Sequence, residues 1–292
     1  MQNTGTAAAK QLGVASTTVG TNSYSNGMFT TTYGSYNVQS SPYEAGGGID
    51  TITNGSKNAF ATVVGTLNSN ESWAGDTYSG VANSIVGVAN RVNNSNGAIV
   101  MGSGNQVQNS VGSVYSMDST TKFDSVKAMQ DAIINGTTET AGGATLALGG
   151  ANSANYTASS QLIGVRNVLT GTEDTASAYN MLDGVGNTAS NVQHVSAIGS
   201  GNTISDATTA QILGDDNKNS YTDTSIVTGV KNTLSGTKEK TSEYNIVSGA
   251  ENTATSVQNM SAIGSKNTIT GTTTAQVFGD TNTVSYSQHV SA

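Results

Sequence analysis

One spacing constrains this chain more than anything else in it. A motif of an apolar residue, Gly, two variable residues, Asn, one further residue and an apolar residue recurs through its second half, as in Ile198-Gly199-Ser200-Gly201-Asn202-Thr203-Ile204 and Ile263-Gly264-Ser265-Lys266-Asn267-Thr268-Ile269. The motif glycines are Gly149, Gly164, Gly184, Gly199, Gly214, Gly229, Gly249, Gly264 and Gly279, at intervals of 15 or 20 residues. A longer period is laid over the short one: residues 161–217 align without a gap on 226–282, with 30 of 57 positions identical. Upstream, Gly87 and Gly102 keep the 15-residue interval, while Gly34, Gly55 and Gly65 are less regular.

Fifteen residues are too few for a helical-hairpin or leucine-rich repeat. They suffice for one coil of a parallel β-solenoid, expected here as two strands of about five residues joined by two turns. Gly tolerates the positive φ of a tight corner and Asn is the next most tolerant residue. An Asn at every coil can also stack into a side-chain ladder. The residue before Gly (Ile163, Ile198, Leu213, Ile263, Phe278) and the second after Asn (Leu169, Ile204, Leu234, Ile269, Val284) are expected inside. Where the residue before Gly is polar, at Asp183, Thr228 and Ser248, the apolar residue stands one earlier (Leu182, Val227, Val247), which predicts a bulge or a register adjustment.

Composition agrees with a stacked repeat. Charged residues are 10% and aromatics 5%, with 35 Gly and a single Pro, Pro42. So few large apolar side chains cannot support an ordinary core, but coils that bury their faces on one another need less. With no Cys there are neither disulfides nor thiolate metal sites. A net charge of −8 without a basic stripe argues against nucleic acid as a partner. No apolar run reaches the roughly 20 residues of a membrane span, so no membrane insertion is expected, and Met1-Gln2-Asn3-Thr4 lacks the basic and apolar regions of a secretion signal.

Ser-Ala-Ile-Gly followed by a small polar turn, at Ser196–Gly199 and Ser261–Gly264, resembles the head repeat of YadA-like trimeric autotransporter adhesins. The resemblance spans residues 149–284 well and 55–105 moderately; the Asn corner and the 20-residue coils depart from the family pattern. It implies an all-β, left-handed parallel β-roll, three chains to a homotrimer. It further implies a virulence-associated adhesin at the bacterial cell surface or outer membrane, its signal peptide and anchor outside these residues. Heads of this family bind collagen, fibronectin or receptors of the CEACAM type.

The expected organisation is an N-terminal cap with irregular first coils (1–54), β-roll coils (55–112), an insertion (113–148) and regular coils (149–292). In the insertion Asp118-Ser119-Thr120-Thr121 can cap a helix whose apolar positions are Phe123, Val126, Met129 or Gln130, and Ile133, ending at Gly136. Its expected role is a lid on the side of the roll, with partner binding as the alternative. The extra residues of the 20-residue coils, between Thr170 and Asn180 and between Ser235 and Asn245, should bulge outward together.

No catalytic, metal or cofactor site is expected. His194 and His289 have no carboxylate at a recognisable spacing and read as surface positions in turns. Asp215 and Asp280 would stand four coils, about 20 Å, apart, too far for paired-carboxylate chemistry. Asp206, Asp215 and Asp223 read as solvated corners, and Gly46-Gly47-Gly48 lacks the Lys and Ser/Thr of a phosphate loop. Partner-binding residues are instead sought among aromatics that coil geometry does not require: Trp73, Tyr78, Tyr115, Tyr179 and Tyr244. Two other readings are an ice-binding solenoid, suggested by Thr208-Thr209 and Thr272-Thr273-Thr274, and a polysaccharide-binding one.

Overall fold

The computed structural model describes residues 15–25, 27, 29–40, 58–71, 80–110, 125–128, 130, 131, 134 and 144–292. It divides into two compact units, Met1–Ser160 and Gln161–Ala292, and its described part is all-β but for one short helical stretch. In the second unit each strand pairs in parallel with the strand one repeat later: Thr203↔Lys218 and Gln211↔Ile226 at an offset of 15 residues, Thr222↔Ser242 at 20. Gly184 thereby stands beside Gly199, and Gly214, Gly229, Gly249 and Gly264 follow one another in register. In the first unit Gly34, Gly65, Gly87, Gly102 and Gly149 are also in register despite their irregular spacing. The coils there begin as early as Thr17, which pairs with Thr31.

A coil has three corners, not two turns. Between Asn202 and Asn217 the backbone takes positive φ at Asp206 (+49), Thr209 (+49), Gly214 (+120) and Asp216 (+55). Strands of five residues (Ser196–Ser200) and three residues (Thr188–Ser190) form two sides, and the bridges Ala178↔Gln193↔Thr208 mark the third. A single residue in the left-handed conformation turns the chain, so fifteen residues are enough for three short sides.

The pleat decides what is inside. Leu162, Leu182, Ala197, Ile212, Val227, Val247, Ala262 and Val277, each two residues before the Gly, are fully buried, as are Leu169, Leu234 and Ile269 two residues after the Asn. The residue just before the Gly faces out, contrary to expectation: Ile198 is 40% and Phe278 52% exposed. Side chains alternate faces along a strand, so the two positions cannot both point inward. Asp183 therefore pairs directly between Ile163 and Ile198 without a bulge, and Thr228 and Ser248 pair side by side in the same outward column.

The motif Asn does not turn the corner; the residue before it does. Asp216, Lys231 and Lys266 carry φ of +55 to +58, while the Asn side chains point inward and are buried. Asn217 shows the pattern. Its backbone N–H and its Nδ2 both donate to Asn202 Oδ1 (3.0 and 3.1 Å), and Nδ2 also donates to Gly229 O at 2.8 Å. Its own Oδ1 accepts from the N–H and Nδ2 of Asn232. The same rungs join Asn187 to Asn202 and Asn232 to Asn252 to Asn267 to Asn282, and in the first unit Asn37, Asn68, Asn90, Asn105 and Asn152.

Asn219 is the contrasting case. It occupies the inward column between Ile204 and Leu234, is 1% exposed, and neither its Oδ1 nor its Nδ2 has a hydrogen-bond partner. A buried unpaired amide costs about 1–3 kcal/mol. Asn219→Leu is therefore expected to stabilise the protein by about that amount, read as a higher thermal midpoint by differential scanning calorimetry; an unchanged or lower midpoint refutes it.

In the insertion, residues 126–128, 130, 131 and 134 are helical, and Lys127 Nζ lies 3.6 Å from Asp131 Oδ2 one turn on. Val126, expected on a face covered by the roll, is 85% exposed, so the lid reading fails at that residue. Phe123, Ile133 and Gly136 fall outside the described residues.

Candidate functional site

Of the five aromatic candidates, Trp73, Tyr78 and Tyr115 lie outside the described residues. Tyr179 and Tyr244 do not sit in the outward bulges themselves. Those bulges are the turns closed by Thr172 N–H to Thr175 O (2.9 Å) and Thr237 N–H to Lys240 O (2.9 Å), with Glu173, Asp174, Lys238, Glu239 and Lys240 exposed. After each turn the chain re-enters the stack at Ser177 or Ser242, and the Tyr follows two residues later at a regular corner.

That corner forms a column along the second unit. Parallel register places Tyr179 beside His194, then Thr209, Thr224, Tyr244, Asn259, Thr274 and His289. All eight adopt positive φ between +46 and +59, and all eight are exposed. A residue at such a corner projects its side chain away from the coil, and neighbours in the column stand one strand spacing, about 4.8 Å, apart. Tyr179 and His194 use that spacing to stack, with ring centroids 4.9 Å apart and planes 14° from parallel. Beyond His194 the rings are interrupted by Thr209 and Thr224, and the next ring in the column is Tyr244. The interruption is a recess of about 390 Å3, lined by His194, Thr209, Gln211, Thr224, Ser225, Ile226, Tyr244, Asn245 and Ile246. The two Thr of this column are flanked by His194 and Tyr244, so no continuous rank of Thr runs along it.

The isolated acids are tied to the coil walls. Asp215 Oδ1 accepts the Ser200 N–H at 2.8 Å and Asp280 Oδ1 the Ser265 N–H at 2.7 Å. Asp223 accepts from the hydroxyls of Thr208 and Thr224, and Asp206 from Asn191 Nδ2. Among the described residues no three His, Cys, Asp or Glu converge as a metal site, and no helix is long and apolar enough to cross a membrane.

A second surface feature comes from the residues misread as core. On the strand that ends in the motif Gly, Ile198, Leu213, Ile263 and Phe278 face out, joined by Ile226 and Val230. In the first unit Tyr33, Val86, Val88, Ile99 and Met101 do the same. Each is between 37% and 58% exposed.

No protein-family model matches the chain, and no curated protein matches it.

His194 does lie at the surface turn expected of it, but its stacking on Tyr179 was missed because it was weighed as a lone imidazole. The sequence does hold the signal: His194 follows Tyr179 by the coil interval of 15 residues, which puts two rings at one corner on successive levels.

Proposed function

We propose that the chain is the head of a surface adhesin of the YadA-like trimeric autotransporter type, folded as a left-handed β-roll and assembled as a homotrimer. The observation that carries this reading is the outward apolar stripe on the Gly-terminated strands. Asp183, Thr228 and Ser248 interrupt the stripe, but its clusters of exposed large apolar side chains are surface for a partner to cover, and a closed symmetric oligomer is the common way to do so. The number three and the hand of the roll rest on the resemblance of the Ser-Ala-Ile-Gly repeats. Interior side chains of the coils are already accounted for by stacking, and the isolated acids by hydrogen bonds to backbone N–H groups or to neighbouring side chains, which favours presentation of a surface over catalysis. The ligand classes that follow are collagen, fibronectin or a CEACAM-type receptor on the host, met by a protein exported to the outer surface of a bacterium.

Light scattering of the parent is expected to give three times the chain mass of 29.5 kDa. Leu213→Glu and Ile263→Glu together should give the monomer mass with an unchanged circular-dichroism spectrum, because both side chains lie outside the core. A monomeric parent, or a trimer indifferent to the two charges, removes the proposed interface. Attachment is tested by surface plasmon resonance of the parent against immobilised collagen, fibronectin and a CEACAM ectodomain; no response to any of them defeats the adhesin reading for these ligands.

A further inference from the structure

We propose that the recess between His194 and Tyr244 is a binding site for a neutral pyranose sugar. The proposal rests on the reading of the chain as a binding surface, but needs neither three chains nor a protein ligand.

The geometry begins with the corner column. His194 and Tyr244 stand three levels apart, about 14 Å at about 4.8 Å per level. A contact distance of about 3.5 Å leaves about 11 Å of free height between the two rings. Tyr179 and His194 show the orientation a ring takes here, with its face turned toward the neighbouring level at a centroid distance of 4.9 Å. A face so turned at Tyr244 looks into the recess. The face of an aromatic ring is electron-rich, and the axial C–H groups of a pyranose present a weakly positive, apolar face to it. Ile226 and Ile246 supply an apolar floor, and both are partly exposed.

The polar groups are placed for hydroxyls. Thr209, Thr224 and Gln211 line the same recess with exposed side chains. The Thr224 hydroxyl already donates to Asp223, which leaves its oxygen free to accept. An aromatic side chain from a protein would stack equally well but would leave these groups without partners. No Asp, Glu, Lys or Arg lines the recess, so a charged sugar would find no such side chain to offset the water it loses. At about 390 Å3 the recess lies at the small end of ligand pockets, the scale of one or two sugar rings. The pattern also recurs. Tyr244, Asn259, Thr274 and His289 repeat the order of ring, two short polar residues, ring along the same column, so Tyr244 is a wall common to two such intervals.

Saturation-transfer NMR suits weak sugar binding. The probes are methyl β-glucoside, methyl β-galactoside, N-acetylglucosamine and N-acetylgalactosamine, with N-acetyltyrosine amide as the aromatic control. The expected result is transfer to the ring C–H protons of at least one sugar, reduced tenfold or more by Tyr244→Ala and by Thr209→Tyr, and kept by Tyr286→Ala, which removes an exposed ring that does not line the recess. Thr209→Tyr fills the recess by continuing the ring stack, at a corner where Tyr already occurs. Alanine is likewise tolerated in this backbone conformation, as Ala89 and Ala151 show, so Tyr244→Ala is expected to fold. Transfer to none of the sugars, transfer to the tyrosine amide alone, or sugar transfer untouched by both variants overturns the proposal. A parent that binds collagen, fibronectin or the receptor but no sugar loses this inference and keeps the adhesin reading; sugar binding without protein binding does the reverse.

Discussion

Gly199→Ala is expected to cost more than about 4 kcal/mol and to leave little folded protein at physiological temperature. A Cβ built at Gly199 would lie 2.0 Å from Gly214 O and 2.7 Å from Gly214 C, and the residue sits at φ +131°. The obstacle is backbone of the next coil, itself fixed by parallel pairing on both sides, so nothing soft can yield. The strained φ adds to the clash. Gly186 is the control: its φ is +70°, with nothing within 4 Å of the added carbon. Gly186→Ala should cost only about 1 kcal/mol, the usual penalty for a side chain in the left-handed region. Chemical denaturation of the two variants separates them, and a difference below about 1 kcal/mol would show that the stack is much softer than its register implies.

The second large effect is expected at Asn217. Asn217→Asp keeps the shape of the side chain and removes its two donor hydrogens, so no cavity is created. It places a carboxylate against Asn202 Oδ1 and Gly229 O, both acceptors, at a fully buried position. The loss should be at least about 3 kcal/mol. Thermal melts at neutral pH measure it; a midpoint within a few degrees of the parent would mean that the rung is dispensable. Asn219, two residues away, is expected to respond in the opposite sense when its amide is removed. Asn217, just before the strand, has asparagines beside it in the neighbouring coils, whereas Asn219, within the strand, has Ile204 and Leu234.

That contrast also marks how far the sequence could be read. The interval of the Gly and Asn residues dictated parallel coils, and the side-chain ladder follows from having Asn at one fixed place in each. What was misread was which face of the strand is inside. Ile198 is larger than Ala197, and a reader who ranks residues by size puts the isoleucine in the core. The column as a whole says otherwise: one position holds Ile163, Asp183, Ile198, Leu213, Thr228, Ser248 and Ile263, the other only Leu, Ala, Ile and Val. A position that accepts Asp and Ser at equal footing with Ile is a surface position. The candidate site was half legible. Tyr179 and Tyr244 stood out as rings without a structural reason, but the recess depends on Thr209 and Thr224 being short where their neighbours are long, and that emerges only once the levels are stacked in register.

The two five-residue excursions bear on how such a chain can vary. Each leaves the stack after Thr170 or Ser235 and is pinched shut where it returns, Ser177 Oγ donating to Thr170 O at 2.9 Å and Ser242 Oγ to Ser235 O at 2.8 Å. The next coil docks on the neck as though nothing intervened, Asn191 N–H bonding to Thr170 O and Ser256 N–H to Ser235 O. Beyond the neck each excursion keeps a tie to a neighbouring level, Gln193 Nε2 donating to Ala176 O at 2.6 Å and the Gly236 N–H to Ser220 O at 2.8 Å. The exposed tips, Glu173-Asp174 and Lys238-Glu239, are where length and sequence can drift at least cost, because the strands on either side of the neck keep their register without them.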